Sequence, residues 1–291
     1  MEKILKLGVV LLLIRMRKFL LVFSVLLVAL LLSSFMLIQS LGLTVLNETY
    51  VLQKIEEGEL YNPLINAVSS DYTGPGIDLA EFIEVIGNGA AKPLVKSVVS
   101  GTLLYLKDPR VNSVEIGVPA GLFPVETTIS LDQVLSKEQV NSLSSLKLVV
   151  QSLSIFKNIA LLVAISFILV IIVSAKGFAS KARWLGFSLL IAGVLVICLS
   201  FFSHGFFQNL IDLNAQQLGS VGVVLAPLLK GLVSDYSSIA QTFGLALFFI
   251  GVFTAWIAVT LIRKIRGKNG FIEEKEEKEK IRALKIREKM R

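Results

Sequence analysis

Cys198 and His204 are the single cysteine and the single histidine of the chain, and a thiol beside an imidazole is the pairing that activates a nucleophile. On a helix at about 100° per residue, their six-position separation sets them roughly 240° apart, so they do not share a face. A lone histidine also falls short of the ligand set that a zinc site needs. His204 stands instead beside Phe201, Phe202, Phe206 and Phe207, the composition of an aromatic belt at a membrane surface. No catalytic residue, metal ligand or cofactor-binding residue emerges, and the chain reads as non-enzymatic.

Coupled transport is the next chemistry to test. It needs ionisable groups inside apolar helices, where burying a charge is expensive. The apolar runs of this chain hold no Asp, Glu, Lys or Arg; Gln39, Gln241, Thr242 and Thr254 are their most polar members. Interhelical hydrogen bonds can satisfy these four, so a coupled transporter or selective channel built from this chain alone is not expected. The runs do carry packing devices. Ala240, Gly244, Gly251 and Ala255 recur at four- and seven-residue spacings, as do Ala182, Gly186 and Gly193. Small residues so spaced let helices approach closely, here within the chain in preference to a dimer face. Leu122 and Phe123 are a different case, two large apolar residues at the tip of an expected turn. Either they fold back onto the domain, or they insert into the outer leaflet or a partner, and they are the partner-contact candidates. Asn47-Glu-Thr49 is a glycosylation acceptor sequence, close enough to an apolar run to be expected unmodified.

These residues need elements to hold them. More than half of the 291 residues are hydrophobic, and they cluster in unbroken runs. A membrane-spanning helix takes about 20 mostly apolar residues. Four runs qualify: residues 19–43, 158–175, 184–204 and 236–262. The first follows a basic leader, residues 1–18, and could be a cleaved signal peptide. Its apolar core exceeds the roughly 7–15 residues of a signal h-region and no small-x-small cleavage site follows, so an uncleaved signal anchor is the reading.

Charge then orients the spans. The leader has net charge +4, segment 44–157 has −5, turn 176–183 has +3, segment 205–235 has −1 and tail 263–291 has +6. With alternating sides, one face collects +13 and the other −6. Lys and Arg near span ends stay in the cytoplasm, which predicts a multi-pass cell-membrane protein with both termini inside and segments 44–157 and 205–235 outside. The basic excess then reflects topology and anionic lipid, not nucleic acid. With one cysteine no disulfide forms within the chain, unlike claudins and tetraspanins, whose outer loops are stapled by cystine.

Segment 44–157 is long enough for a small domain. Asp78-Leu-Ala-Glu81 is a capping box before Leu79, Phe82, Ile83 and Ile86 at helical spacing; Gly87-Asn-Gly89 is expected to stop that helix. A second helix is expected from Ala90, with Pro93 in its first turn, towards Leu106. Val114, Ile116 and Val118, then Val125, Thr127 and Ile129, alternate with polar or small residues and predict a β-hairpin around Pro119–Pro124. Ser136-Lys-Glu-Gln139 is another capping box, opening a helix that runs on into the second span. Segment 205–235 is expected to form short helices that cap the bundle or pack against segment 44–157. The tail from Glu273 predicts a charge-dense helix resting near anionic lipid. Leu146–Ile155 and Leu229–Ser238, each preceding a span, are alike enough to suggest a parallel duplication.

Tyr105–Pro109 (Tyr-Leu-Lys-Asp-Pro), Val114–Pro119 (Val-Glu-Ile-Gly-Val-Pro), the anchor helix and three later spans together resemble a loose group of uncharacterised prokaryotic four-pass membrane proteins with an extracytoplasmic domain after the first span. No activity, cofactor or site residue follows from that resemblance. The fold class expected is an all-α membrane protein: a four-helix transmembrane bundle with an extracytoplasmic, mainly helical domain containing one β-hairpin. Its expected role is to bind, sense or scaffold an envelope partner, as a homo-oligomer or with another protein. The alternative is an accessory subunit of a membrane transport or secretion complex.

Overall fold

The structure is a computed structural model describing residues 2–71, 79–118, 127–130, 137–215 and 219–289. In chain order these form α1 (Glu2–Leu43), α2 (Glu48–Glu57), α3 (Tyr61–Asp71), α4 (Leu79–Lys107), β1 (Glu115–Val118), β2 (Thr127–Ser130), α5 (Lys137–Ser174), α6 (Phe178–Ala215) and α7 (Gly219–Lys289). Four helices contain a stretch long and apolar enough to cross a membrane: Arg15–Leu43, Val140–Ser174, Phe178–Ala215 and Gly219–Lys264. Each uncharged run of the sequence is the apolar part of one of these long helices. β1 and β2 pair antiparallel, with Ile116 opposite Ile129 and Val118 opposite Thr127. The joining residues 119–126, with Leu122 and Phe123, lie outside the described residues, as do Asp78 and Ser136.

Two local expectations are corrected. Gly87-Asn-Gly89 does not stop a helix, because α4 is continuous from Leu79 to Lys107 with Pro93 inside it. Each helical glycine costs about 1 kcal/mol relative to alanine, a penalty that later turns offset by packing Val95, Val99 and Leu103 into an apolar cluster. Segment 205–235 does not fold as separate short helices either. Instead α6 continues to Ala215 and α7 begins at Gly219. Leu228 and Leu232 of that segment are buried in the same cluster, which holds α7 helical past Pro227.

The chain forms two compact units. The first comprises Met1–Leu31, Val163–Val194 and Leu245–Arg291. Its buried residues are mostly small, among them Ala29, Ala164, Ala192 and Ala258, and their size lets helices lie close together. The last turn of α5 leaves carbonyls without helical partners. Arg17 donates from Nε to the Ser174 carbonyl at 2.6 Å, placing a cation at the negative end of the helix dipole. The turn to α6 then passes through Gly177 at φ +77°, a backbone conformation that glycine adopts without steric cost.

The second unit comprises Leu32–Leu162 and Leu195–Gly244. Asn47 opens α2 as its N-cap, accepting from the Tyr50 backbone N–H at 3.3 Å. Val51 and Ile55, one turn apart on α2, are buried against Leu103, Leu228 and Leu232. Beside this core, Tyr105, Leu106 and Val114 form a second cluster with Val111 and Leu143 packed on it. The Lys147 ammonium lies 4.4 Å above the Tyr105 ring, a cation–π contact, and donates to the Val111 carbonyl.

Candidate functional site

Cys198 and His204 both lie on α6 in the second unit. Cys198 is exposed, and the His204 Nδ1 atom is buried without a hydrogen-bond partner among the described residues. The neighbouring Phe201 and Phe202 expose 63% and 75% of their surface, which suits contact with lipid rather than with water. Among the described residues, no three of His, Cys, Asp and Glu gather where a metal ion could be held.

The polar residues of the spans act locally. Thr242 and Thr254 donate to the carbonyls of Ser238 at 2.9 Å and Ile250 at 2.7 Å, each four residues back on α7. The Gln241 amide donates to Ser237 Oγ at 3.2 Å, also one turn back. These three bond within their own helix, a local alternative to the interhelical bonds open to them. A helix leaves its preceding-turn carbonyl within reach of a Thr hydroxyl, and the short path wins. Gln39 differs, accepting from Lys157 Nζ of α5 at 3.3 Å. One polar link between α6 and α7 in the second unit comes from a residue the sequence did not single out: Ser237 Oγ donates to the Ser200 carbonyl at 3.2 Å.

The small residues lie at close approaches. In the first unit a Cβ on Gly186 would stand 2.7 Å from the Ala255 backbone nitrogen, and one on Gly251 would stand 2.5 Å from that of Leu190. These are backbone-on-backbone contacts between α6 and α7, which only glycine permits. Gly193 is buried in the same unit, and Ala240 and Gly244 are buried in the second.

A polar cluster that spacing did not reveal borders the core of the second unit. Lys54 of α2 lies 3.1 Å from Asp235 and 3.2 Å from Glu57, and its hydrogen bond to Asp235, then that to Glu57, holds its ammonium above the ordinary lysine range. Donation from Gln53, then from Lys54, draws the Glu57 carboxyl below its ordinary value. Ser100 Oγ of α4 donates to Glu48 at 2.5 Å, and Lys92 pairs with Glu56. Lys230 and Asp212, 2.5 Å apart, tie α7 to α6. Thus α2, α4, α6 and α7 are joined by polar contacts around an apolar centre. The sequence signals for α2 were slight: a capping residue type at Asn47, and Val51 and Ile55 one turn apart with Lys54 between them. The arrangement provides a folded polar surface and no nucleophile–base pair. Comparison with protein-family models, curated proteins and solved structures finds no match.

Proposed function

We propose that the chain is a non-enzymatic integral membrane protein whose segment 44–157 lies outside the cytoplasm and binds, senses or scaffolds an envelope partner. The observation that carries this reading is the closed core of Val51, Ile55, Leu103, Leu228 and Leu232. It is built by α2 and α4 together with the early part of α7, and it gives the segments between spans a packed module of their own. A module with its own core is a surface that can be recognised. The charge difference between +13 and −6 supports setting that module outside a cell membrane, with both termini in the cytoplasm. The signal-anchor role of the first span and the β1–β2 hairpin within an extracytoplasmic domain belong to the same proposal.

Leu122 and Phe123 are the contact residues in this reading. Full-length protein solubilised gently from its own membranes should retain one partner in fixed proportion. The double variant L122S/F123S should reach the same expression level and lose that partner; unchanged association would overturn the assignment. A retained partner with many spans of its own would favour the accessory-subunit reading instead.

A further inference from the structure

In the second unit a groove of about 270 Å³ runs between the end of α1, the last residue of α4 and the stretch of α5 from Val150 to Lys157. Its walls are apolar along Ile38, Leu41 and Gly42, yet three nitrogen donors line it: Lys107, Lys157 and the Gln151 amide. The Gln151 Nε2 atom is buried with no hydrogen-bond partner among the described residues. Lys157 donates a hydrogen bond to the neutral Gln39 at 3.3 Å, and no carboxylate lies in hydrogen-bond or ion-pair contact with Lys107 or Lys157 among the described residues. The adjacent acid, Asp108, turns its carboxylate to the Arg110 backbone N–H at 2.8 Å. Segment 44–157 has net charge −5, so two lysines lining one apolar groove run against the net charge of the segment.

Lys107 is exposed and Lys157 half-buried, so both ammonium groups are free to exchange water for charge-assisted bonds to an anion. The groove lies where α1 ends and where the uncharged run of α5 begins, the level at which lipid headgroups meet spans. Its volume is below the roughly 300–1,000 Å³ of pockets that enclose a whole small ligand, so it takes only part of an amphiphile. We propose that this groove binds an anionic phospholipid. The phosphate lies between Lys107 and Lys157 and accepts from the Gln151 amide, while the first methylenes of an acyl chain lie along Ile38 and Leu41. Charge-assisted bonds to phosphate oxygens supply the preference over zwitterionic lipid. The site holds whichever leaflet it faces and does not depend on the function proposed above.

The test is native mass spectrometry of the full-length chain in neutral detergent, with dioleoyl phosphatidylglycerol and dioleoyl phosphatidylcholine at equal concentration. Wild type should retain phosphatidylglycerol selectively. K107Q/K157Q should retain it about tenfold less or weaker, whereas K92Q/K230Q, outside the groove, should match wild type. Gly42 has open space beside its Cα, so G42F should fill the groove and lower retention without changing charge. If the double lysine variant fails to fold, K107Q alone, a helix-terminal change, and G42F carry the comparison. Equal retention of the two phospholipids by wild type, or full retention by the groove variants, would overturn the site. Displacement of phosphatidylglycerol by equimolar oleate would overturn the assignment to a phospholipid.

Discussion

Lys54 illustrates what a single side chain contributes to the second unit. It holds Asp235 on α7 and Glu57 on its own helix, with side chains near 30% accessible on both sides of the longer-range pair. Partial exposure limits such a pair to about 0.5–1 kcal/mol. Because its pKa is raised on folding, the contribution is fully present below the unfolded lysine value of about 10.4 and is lost as pH rises through the folded value. K54M should therefore unfold at a lower temperature than wild type at neutral pH, and the gap should close in strongly alkaline buffer. Thermal unfolding in detergent from pH 7 to pH 11 measures it. A gap that stays constant across that range would mean that Lys54 acts through packing of its stem and not through its charge. The pair was not legible in the sequence, because Lys54 and Asp235 sit in segments far apart in the chain and each has nearer charges with which it could pair. Asn47 shows the opposite difficulty: its acceptor motif drew the reading, which expected it unmodified, away from its role as the N-cap of α2.

Helices α6 and α7 meet through glycine in the first unit, and the contact leaves no room for a methyl group. G251A would press a Cβ to within 2.5 Å of the Leu190 nitrogen and 2.8 Å of the Gly186 carbonyl oxygen. Backbone cannot retreat as a flexible side chain can, so the helices must separate, at a cost of about 1–3 kcal/mol. Gly231 is the internal control, with nothing within 4 Å of an added Cβ; G231A should instead gain up to about 1 kcal/mol from helix propensity. Opposite shifts in unfolding temperature are expected, and equal behaviour of the two variants would show that the close approach does not hold the helices together. The spacing of Gly186, Gly251 and Ala255 was readable because helical periodicity alone puts them on common faces. The continuity of α4 and the reach of α6 and α7 were not. Gly87, Gly89 and Pro93 are local weakening signals, whereas the burial of Leu103, Leu228 and Leu232 that overrides them is visible only once the chain has folded. Helix α2 escaped notice for a related reason, since Val51 and Ile55 are too few to establish a period.

At the scale of the whole molecule, the charge on the segments between spans is the strongest constraint on orientation. Four stretches can cross a bilayer, and the cations gather at one set of their ends. Carrying a single Lys or Arg through the middle of a helix costs about 2.5–3.5 kcal/mol on insertion scales. Inverting the protein would take the basic turn at Lys176, Lys181 and Arg183, together with a tail of net charge +6, across the membrane. The proposed orientation keeps all of them in the cytoplasm and exports the acidic segment 44–157. Two exposed positions report on it, Asn112 between α4 and β1 and Lys176 between α5 and α6. In a Cys198→Ala background, a thiol reagent unable to cross the bilayer should label N112C in intact cells and spare K176C. Permeabilised cells should label both, which establishes that each thiol is reachable in the folded protein. Labelling of K176C with protection of N112C would invert the topology and remove the envelope-facing role with it. Labelling of both in intact cells would mean that at least one of the four stretches does not cross the membrane.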